Sequence, residues 1–423
     1  MIKCCIEIHS DQFVQLFGTV FHSGFFPQCW NDGYISPIFK AGPTDDPNNY
    51  RGITINSCLG KFFTLVLNTR LTDFLENNNA IRPNQIGFRA AYRTADHIFV
   101  IKTIMDSYFK KGKKLYACFV DFRKAYDSVW RNGLFYKLMK LGISKTFLTV
   151  ICKMYQNIRS CVKTSQGLTN YFESFIGVKQ GCNLSPNLFN IFINDIPEIF
   201  DQECNPITLG NSKLNCLLYA DDLLILSDDE KGLQNSINNL YSYSEKWKLN
   251  INTKKTKLMV FNKSGRKIEI NCTFGKDKIP VVNAFTYLGT TLTSSGSFTP
   301  NQENLYNKGI KTVFSILKDF HPTHGTSIKL LLKLFDSLVR PILLYNCEVW
   351  GAYTKLNTSF TKFKENLFNI SLICEKLHLK MMKMILGVNS KSTNSAVRAE
   401  LGRFPLHISI YSSITFLFSF NST

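Results

Sequence analysis

The chain has 423 residues with 50 Lys and Arg against 31 Asp and Glu, a net charge of +19. With 44% hydrophobic and 19% charged residues it has globular composition, and its length leads us to expect two or three folding units. The surplus points to a polyanionic partner, nucleic acid first and an anionic membrane surface second.

No run of about 18 uncharged apolar residues occurs, so a membrane span is not expected. The richest stretch, Leu330 to Trp350, is broken by Lys333, Asp336, Arg340 and Glu348. The N-terminus lacks a long apolar core with a small-residue cleavage site, so no secretory signal is read there. None of the 13 cysteines forms a C-x-x-C pair, which sets aside zinc-ribbon, zinc-knuckle and thioredoxin chemistry. The odd count fits reduced thiols in an intracellular protein. Nucleus and cytoplasm are not distinguished: the short cluster Lys110-Lys111-Gly112-Lys113-Lys114 suits a grip on template RNA as well as nuclear import.

In chain order, residues 33–56 read as two short strands around a loop rich in Gly, Pro, Asp and Asn. Leu59, Phe63, Val66, Leu67, Phe74 and Leu75 then recur at helical spacing, and Asn77-Asn78-Asn79 end that helix. Ala95 to Phe109 reads as a second helix. Residues 115–122 form a short apolar, aromatic run closed by an acidic residue, which predicts a buried strand. Residues 185–199 predict a helix with Ser185 at its N-cap and Pro186 in its first turn. Residues 214–227 are two apolar arms around Ala220-Asp221-Asp222, the pattern of a hairpin with carboxylates on its turn. Leu233, Ile237, Leu240 and Trp247 mark an amphipathic helix. Beyond about residue 295 the pattern is helical and Lys-rich.

Three segments carry chemistry. A lone Asp-Asp in a loop is usually a solvated turn. Between the apolar flanks Leu214–Tyr219 and Leu223–Leu226, Asp221 and Asp222 instead repel in a poorly solvated place, and a divalent cation relieves that cost. Asp121 ends the predicted buried strand; a cation or a dense hydrogen-bond shell would compensate it, and capping a helix that follows from Phe122 onward is the alternative. Asp121 and Asp221 lie 100 residues apart. Brought to one sheet edge, the three carboxylates would suit two magnesium ions about 3.5–4 Å apart, as used for in-line phosphoryl transfer. The third segment, Gly177 to Pro186, is a polar loop entering a helix, where backbone amides favour anions. An ordinary well-capped loop would look the same.

These motifs, in this order, resemble reverse transcriptases of the LINE-type (non-LTR) retrotransposons. Phe119 to Asp127 is similar to the family's first catalytic motif, Gly177 to Pro186 to its G-x-x-Q-G-x-x-L-S-P motif, and Tyr219 to Asp222 to its Y-A-D-D box. Pro37 to Lys40, Asn49 to Ile53 and Asn84 to Arg89 resemble finger motifs. Leu249 to Asn252 with Lys254 to Lys257 resembles the motif after the box, and Phe285 to Gly289 the primer-grip hairpin. Val339 to Tyr345 and Glu400 to Leu406 resemble thumb and post-thumb segments.

The resemblance implies an α+β right-hand polymerase, with fingers, a palm of antiparallel sheet and a helical thumb. Fingers and palm would occupy 1–292, the palm mainly 113–130 and 175–292, with thumb and post-thumb in 293–423. It implies an RNA-directed DNA polymerase that extends a DNA primer on an RNA template with deoxynucleoside triphosphates, without a membrane. It also implies roles. Asp121, Asp221 and Asp222 would bind two Mg2+ ions, with Mn2+ as the alternative. The backbone near Phe122 would face the triphosphate, and Tyr126 would sit under the sugar and exclude a 2′-hydroxyl. Gln180 and Gly181 would line the nascent base pair, and Lys40 and Arg51 would neutralise phosphate. Lys255 would protonate pyrophosphate, with Lys254 and Lys257 as competitors and a solvated basic face as the ordinary reading of all three.

Asn183 stands where many relatives have Pro. The chain begins near the fingers, no zinc knuckle follows the thumb, and the tail after Leu406 stops resembling the family. A mobile-element fragment lacking the endonuclease, or a decayed or domesticated copy, is therefore expected, with a tail that a frameshift could explain. A catalytically inactive nucleic-acid binder on the same fold is the alternative function. An RNA polymerase or metal-dependent nuclease would share the carboxylate logic, but Tyr126 and the motif order argue against it.

Overall fold

In the computed structural model, residues 2–200, 202–210, 212–320, 325–353 and 372–420 are described, with side chains from residue 9 onward and not at 202, 353 or 418–420. They form two units: one of residues 1–92, 117–258 and 270–280, the other of 93–116, 259–269 and 281–423.

In the first unit, helix Ile2–Ser23 is followed by strands Gly33–Phe39 and Tyr50–Ile55, antiparallel in the register Tyr34 to Ile55 through Phe39 to Tyr50. Between them Asp46 accepts from the Asn48 N–H at 2.9 Å, a local bond that turns the polar loop. Helix Cys58–Asn77 follows, its N-cap Ser57 accepting from Gly60. Phe63, Leu67, Leu71 and Leu75, four residues apart, form its buried stripe.

A second sheet carries the acidic segments. Strand Leu115–Asp121 lies between Asp222–Ser227 and the strand that starts at Lys257. Cys216–Tyr219 pairs antiparallel with Asp222–Ser227, Tyr219 opposite Asp222. These strands are apolar along most of their length because both faces are covered: Ala117 to Val120, Cys216 to Leu218 and Leu223 to Leu226 are all buried. Helix Glu230–Trp247 is capped by Asp229 and ends at Lys248 in the left-handed conformation; it buries Leu233, Ile237, Leu240 and Trp247. The predicted hairpin, strand and amphipathic helix are thus present.

One prediction needs correction. The helix after the Gln180 loop spans Ser185–Phe192 only, and its N-cap is Leu184. Ser185 lies inside the first turn, where its hydroxyl donates to the Lys179 carbonyl at 2.7 Å instead of capping. Pro197 enforces a break, and a separate 3-10 turn covers Ile196–Ile199.

The second unit contains the hairpin Ala284–Tyr287 and Thr290–Thr293 and helices Thr94–Lys110, Thr299–Asp319, Ile373–Leu386, Asn394–Leu401 and Leu406–Phe420. The tail, except its last three residues, which lie outside the described ones, is therefore an ordered helix. It buries Leu406, Ile410 and Leu417, and its Ser409 accepts from Arg340 at 2.8 Å. The mixture of helices and largely antiparallel sheet bears out the α+β expectation. Among the described residues, no helix is long and apolar enough to cross a membrane.

Candidate active site

Within the first unit a cleft of about 970 Å³ is lined by Asp121, Asp221, Lys40, Arg51, Phe122, Tyr126, Gln180, Gly181, Lys254 and Lys255. Nine of the ten residues singled out from sequence are therefore brought together. Asp222 is the exception: it sits one position past the turn, at the start of the next strand.

Asp121 is aimed by its backbone. Its N–H donates to the Thr256 hydroxyl at 3.2 Å, and its carbonyl accepts from Asn252 at 2.8 Å. The Arg123 N–H donates to the Asn250 carbonyl at 2.7 Å, and Phe122 bridges Ile251. Segment 249–252 is thereby fastened to the end of the Asp121 strand, which brings exposed Lys254 and Lys255 to the cleft. Lys257 is not in the lining; its ammonium donates to the Lys254 carbonyl.

Asp221 occupies the hairpin turn, directly after Ala220 at φ +54°. The side chains of Asp221 and Asp222 remain open to solvent. The protein packed around them still takes away much of their hydration. That desolvation raises the Asp221 pKa, and the Asp121 charge adds to it; a backbone hydrogen bond and Arg51 act the other way. Asp222 is pushed up to about 6 by desolvation and by the charges of Asp221 and Asp121. The three carboxylates therefore form one repelling group. Their hard oxygen donors fit a divalent cation such as Mg2+ or Mn2+. Among the described residues, no three His, Cys, Asp or Glu side chains close into a metal cage by themselves.

Another part of the lining is built around Gln180. Its carbonyl accepts from Thr54 at 2.8 Å and its amide donates to Asp127 at 2.8 Å. Gly181 has φ +103°, and a Cβ there would sit 2.8 Å from the Thr54 carbonyl oxygen, so only glycine fits this approach. The Tyr126 ring stacks on Phe189 with centroids 4.9 Å apart, and its buried hydroxyl has no hydrogen-bond partner among the described residues. Desolvation, aided by the Asp221 charge, raises the Tyr126 pKa, so the phenol stays neutral.

Sequence reasoning missed Arg131. Its buried guanidinium donates to the carbonyls of Gly177 at 2.9 Å, Tyr155 at 3.0 Å, Ser174 at 2.6 Å and Ile176 at 2.9 Å. It thus holds the approach to the Gln180 loop. A single Arg in a helix carries no local mark of such a role; only its partners, 24 to 46 residues away, reveal it.

The chain belongs to the family described as reverse transcriptase (RNA-dependent DNA polymerase), which it matches over residues 38–292. It is similar to the RNA-directed DNA polymerase from mobile element jockey of Drosophila melanogaster, 26% identical over 83% of this chain and 39% of that protein. It is also similar to the Pol polyprotein from type-1 retrotransposable element R2 of Popillia japonica, 28% identical over 67% of this chain and 40% of that protein. These matches bear out the resemblance to non-LTR retroelement enzymes. The chain spans about two fifths of the length of these curated relatives. Among solved structures it is similar to apo telomerase from Candida tropicalis, with 15% identity, a TM-score of 0.47 and coverage of 97% of this chain and 71% of that one.

Proposed function

We propose that this chain is an RNA-directed DNA polymerase that extends a DNA primer on an RNA template with deoxynucleoside triphosphates. One observation carries the reading: Asp121 and Asp221, 100 residues apart in sequence, line a single cleft together with the cations Lys40 and Arg51. Carboxylates gathered beside cations suit triphosphate chemistry, and family membership supports it.

Asp121 and Asp221, with Asp222 as the third carboxylate, are the groups we assign to hold two divalent ions, magnesium or manganese. When bound, the ions neutralise triphosphate charge and lower the pKa of the attacking 3′-hydroxyl. Lys40 and Arg51 offset the remaining phosphate charge. The backbone from Phe122 onward faces the triphosphate, and the Tyr126 ring, backed by Phe189, limits room at the sugar 2′ position. Gln180 and Gly181 bound the nascent base pair. Lys255 is the proton donor assigned to departing pyrophosphate, with Lys254 of the same lining as its competitor. Fingers and palm are assigned to 1–292 and the thumb to 293–423. A surplus of +19 supports a grip on the template–primer duplex through its phosphates, so binding should weaken steeply with salt.

The test is primer extension on an RNA template with magnesium and deoxynucleotides, beside Asp221→Asn. Extension by the wild type, lost in the variant, is expected. Salt-sensitive duplex binding by both proteins with extension by neither would replace the polymerase by a binding protein.

A further inference from the structure

The turn that presents Asp221 and Asp222 is held in an unfavourable conformation. Ala220 has φ +54°, a region that glycine enters freely and an L-residue does not. Such a residue persists when its surroundings over-determine it. Here one side chain does most of that. Gln85 is fully buried, and its Oε1 accepts from the Ala220 N–H at 2.9 Å. Its Nε2 donates to the Ala220 carbonyl at 3.2 Å. Both backbone polar groups of the strained residue are thus satisfied by one carboxamide. Oε1 also accepts from the Gly87 N–H at 2.8 Å, which fixes the amide against flipping.

The segment bearing Gln85 is itself anchored. The Asn84 carbonyl accepts from Leu218 at 2.8 Å, and the Ile86 N–H donates to the Leu218 carbonyl at 3.0 Å, so the segment bridges the hairpin's first strand in parallel. Asn190 of helix Ser185–Phe192, fully buried, donates to the Gly87 carbonyl at 2.8 Å. Arg89 grips Glu76 of helix Cys58–Asn77 at 2.9 and 2.7 Å and donates to the Gln85 carbonyl at 3.3 Å. A Cβ at Gly87 would lie 2.2 Å from the Ala220 nitrogen, so the strand and the turn touch at backbone distance.

We propose that Gln85 is a positioning residue for nucleotidyl transfer, its carboxamide locking Ala220 in the left-handed conformation that aims Asp221 and Asp222. The proposal rests on the polymerase reading above. Gln85 touches no reacting group; it acts through the peptide that precedes Asp221. The residue type matters, because the lock needs two accepted bonds and one donated bond from a single planar group. Met fills the same volume and supplies neither. Glu keeps the accepted bonds and loses the donor.

The experiment compares wild type, Asp221→Asn, Gln85→Met and Gln85→Met with Ala220→Gly. Each is measured for single-turnover primer extension, Mn2+ affinity by electron paramagnetic resonance, duplex affinity by anisotropy, and thermal unfolding. Gln85→Met should slow extension about 100-fold, the order that misplacing a reacting group by about 1 Å produces. Mn2+ affinity should fall several-fold and duplex affinity should stay unchanged. Ala220→Gly in the same chain should restore at least about tenfold of the rate, since glycine takes the left-handed conformation unaided. Wild-type rate in folded Gln85→Met overturns the proposal. So does a folded double variant no faster than the single one. Should Gln85→Met fail to fold, Gln85→Glu decides: about tenfold slower extension supports the lock and an unchanged rate overturns it. If the wild type itself extends no primer, the polymerase reading fails. The Mn2+ titration then judges Gln85 separately: weaker binding in Gln85→Met supports the positioning role, and equal binding overturns it.

Discussion

Two charge clusters, one in each unit, are built on opposite principles. In the cleft, desolvation and the Asp121 charge raise the proton affinity of Asp221 and Asp222, and Asp222, which also feels Asp221, reaches about 6. In the helical unit, Glu375 is only 2% exposed yet compensated on every side. Its carboxylate accepts from Arg398 at 2.8 Å and from the His407 N–H at 3.1 Å, and His378 lies 3.5 Å away. Burial alone would raise the Glu375 pKa, but His378 and Arg398 outweigh it and the group stays below its ordinary value. A buried charge kept for structure arrives with its partners. Like charges only partly compensated in an open cleft are a cost that a ligand relieves.

The contrast can be broken by removing one charge from each cluster. The largest stability effect is expected at Glu375→Leu. It strands Arg398, whose side chain is 8% exposed, and should destabilise the protein by roughly 3–5 kcal/mol, read as a lowered denaturation midpoint. Adding Arg398→Met should recover most of the loss. If Glu375→Leu alone is neutral, the cluster is not compensated as described.

Acid sharpens the same comparison. In the helical unit, burial lowers the His97 pKa to about 4, with the Tyr287 hydroxyl 3.4 Å from its Nδ1. The folded value lies below the unfolded one of about 6.5, so the fold prefers the neutral ring. Its contribution is complete above the unfolded value and shrinks as pH falls from there towards the folded one. Between pH 7 and 5 stability should drop by about 2 kcal/mol, and His97→Gln should flatten that slope in urea titrations at the two pH values.

The smallest effect, of opposite sign, is expected in the cleft. Asp222→Asn relieves repulsion and should stabilise the metal-free protein, by at most about 1 kcal/mol because the site is open to solvent. A lower melting temperature for Asp222→Asn would contradict the repelling-carboxylate account.

Much of this site is legible in the sequence because its parts are local. The arms around Ala220-Asp221-Asp222 read as a hairpin because two continuous apolar runs are interrupted by one short polar pair. The shortness and aromatic content of the apolar run before Asp121 favour a covered strand. What stayed hidden depends on contacts far apart in the chain. Gln85 meets Ala220 across 135 residues, and Glu375 meets Arg398 and His407 across 23 and 32. The segment Asn84 to Arg89 stands out in sequence as a resemblance to a finger motif, but no local pattern there shows that Gln85 meets the Ala220 turn. Ser185 misled for the reverse reason: its local pattern favours a cap, and a tertiary acceptor, the Lys179 carbonyl, captured the hydroxyl. Three neighbouring lysines read alike in sequence, and only the fold separates Lys254 and Lys255 from Lys257.

The most direct test of the central claim is incorporation of a single deoxynucleotide into a primer on an RNA template, at saturating nucleotide and varied Mg2+, for wild type, Asp121→Asn and Asp221→Asn. The carboxylate account predicts Mg2+-dependent incorporation by the wild type. Each variant should lose at least about a thousandfold in rate while binding the RNA–DNA duplex within about threefold of wild type. Incorporation by either variant at near wild-type rate, or none by a wild type that binds the duplex, would contradict it.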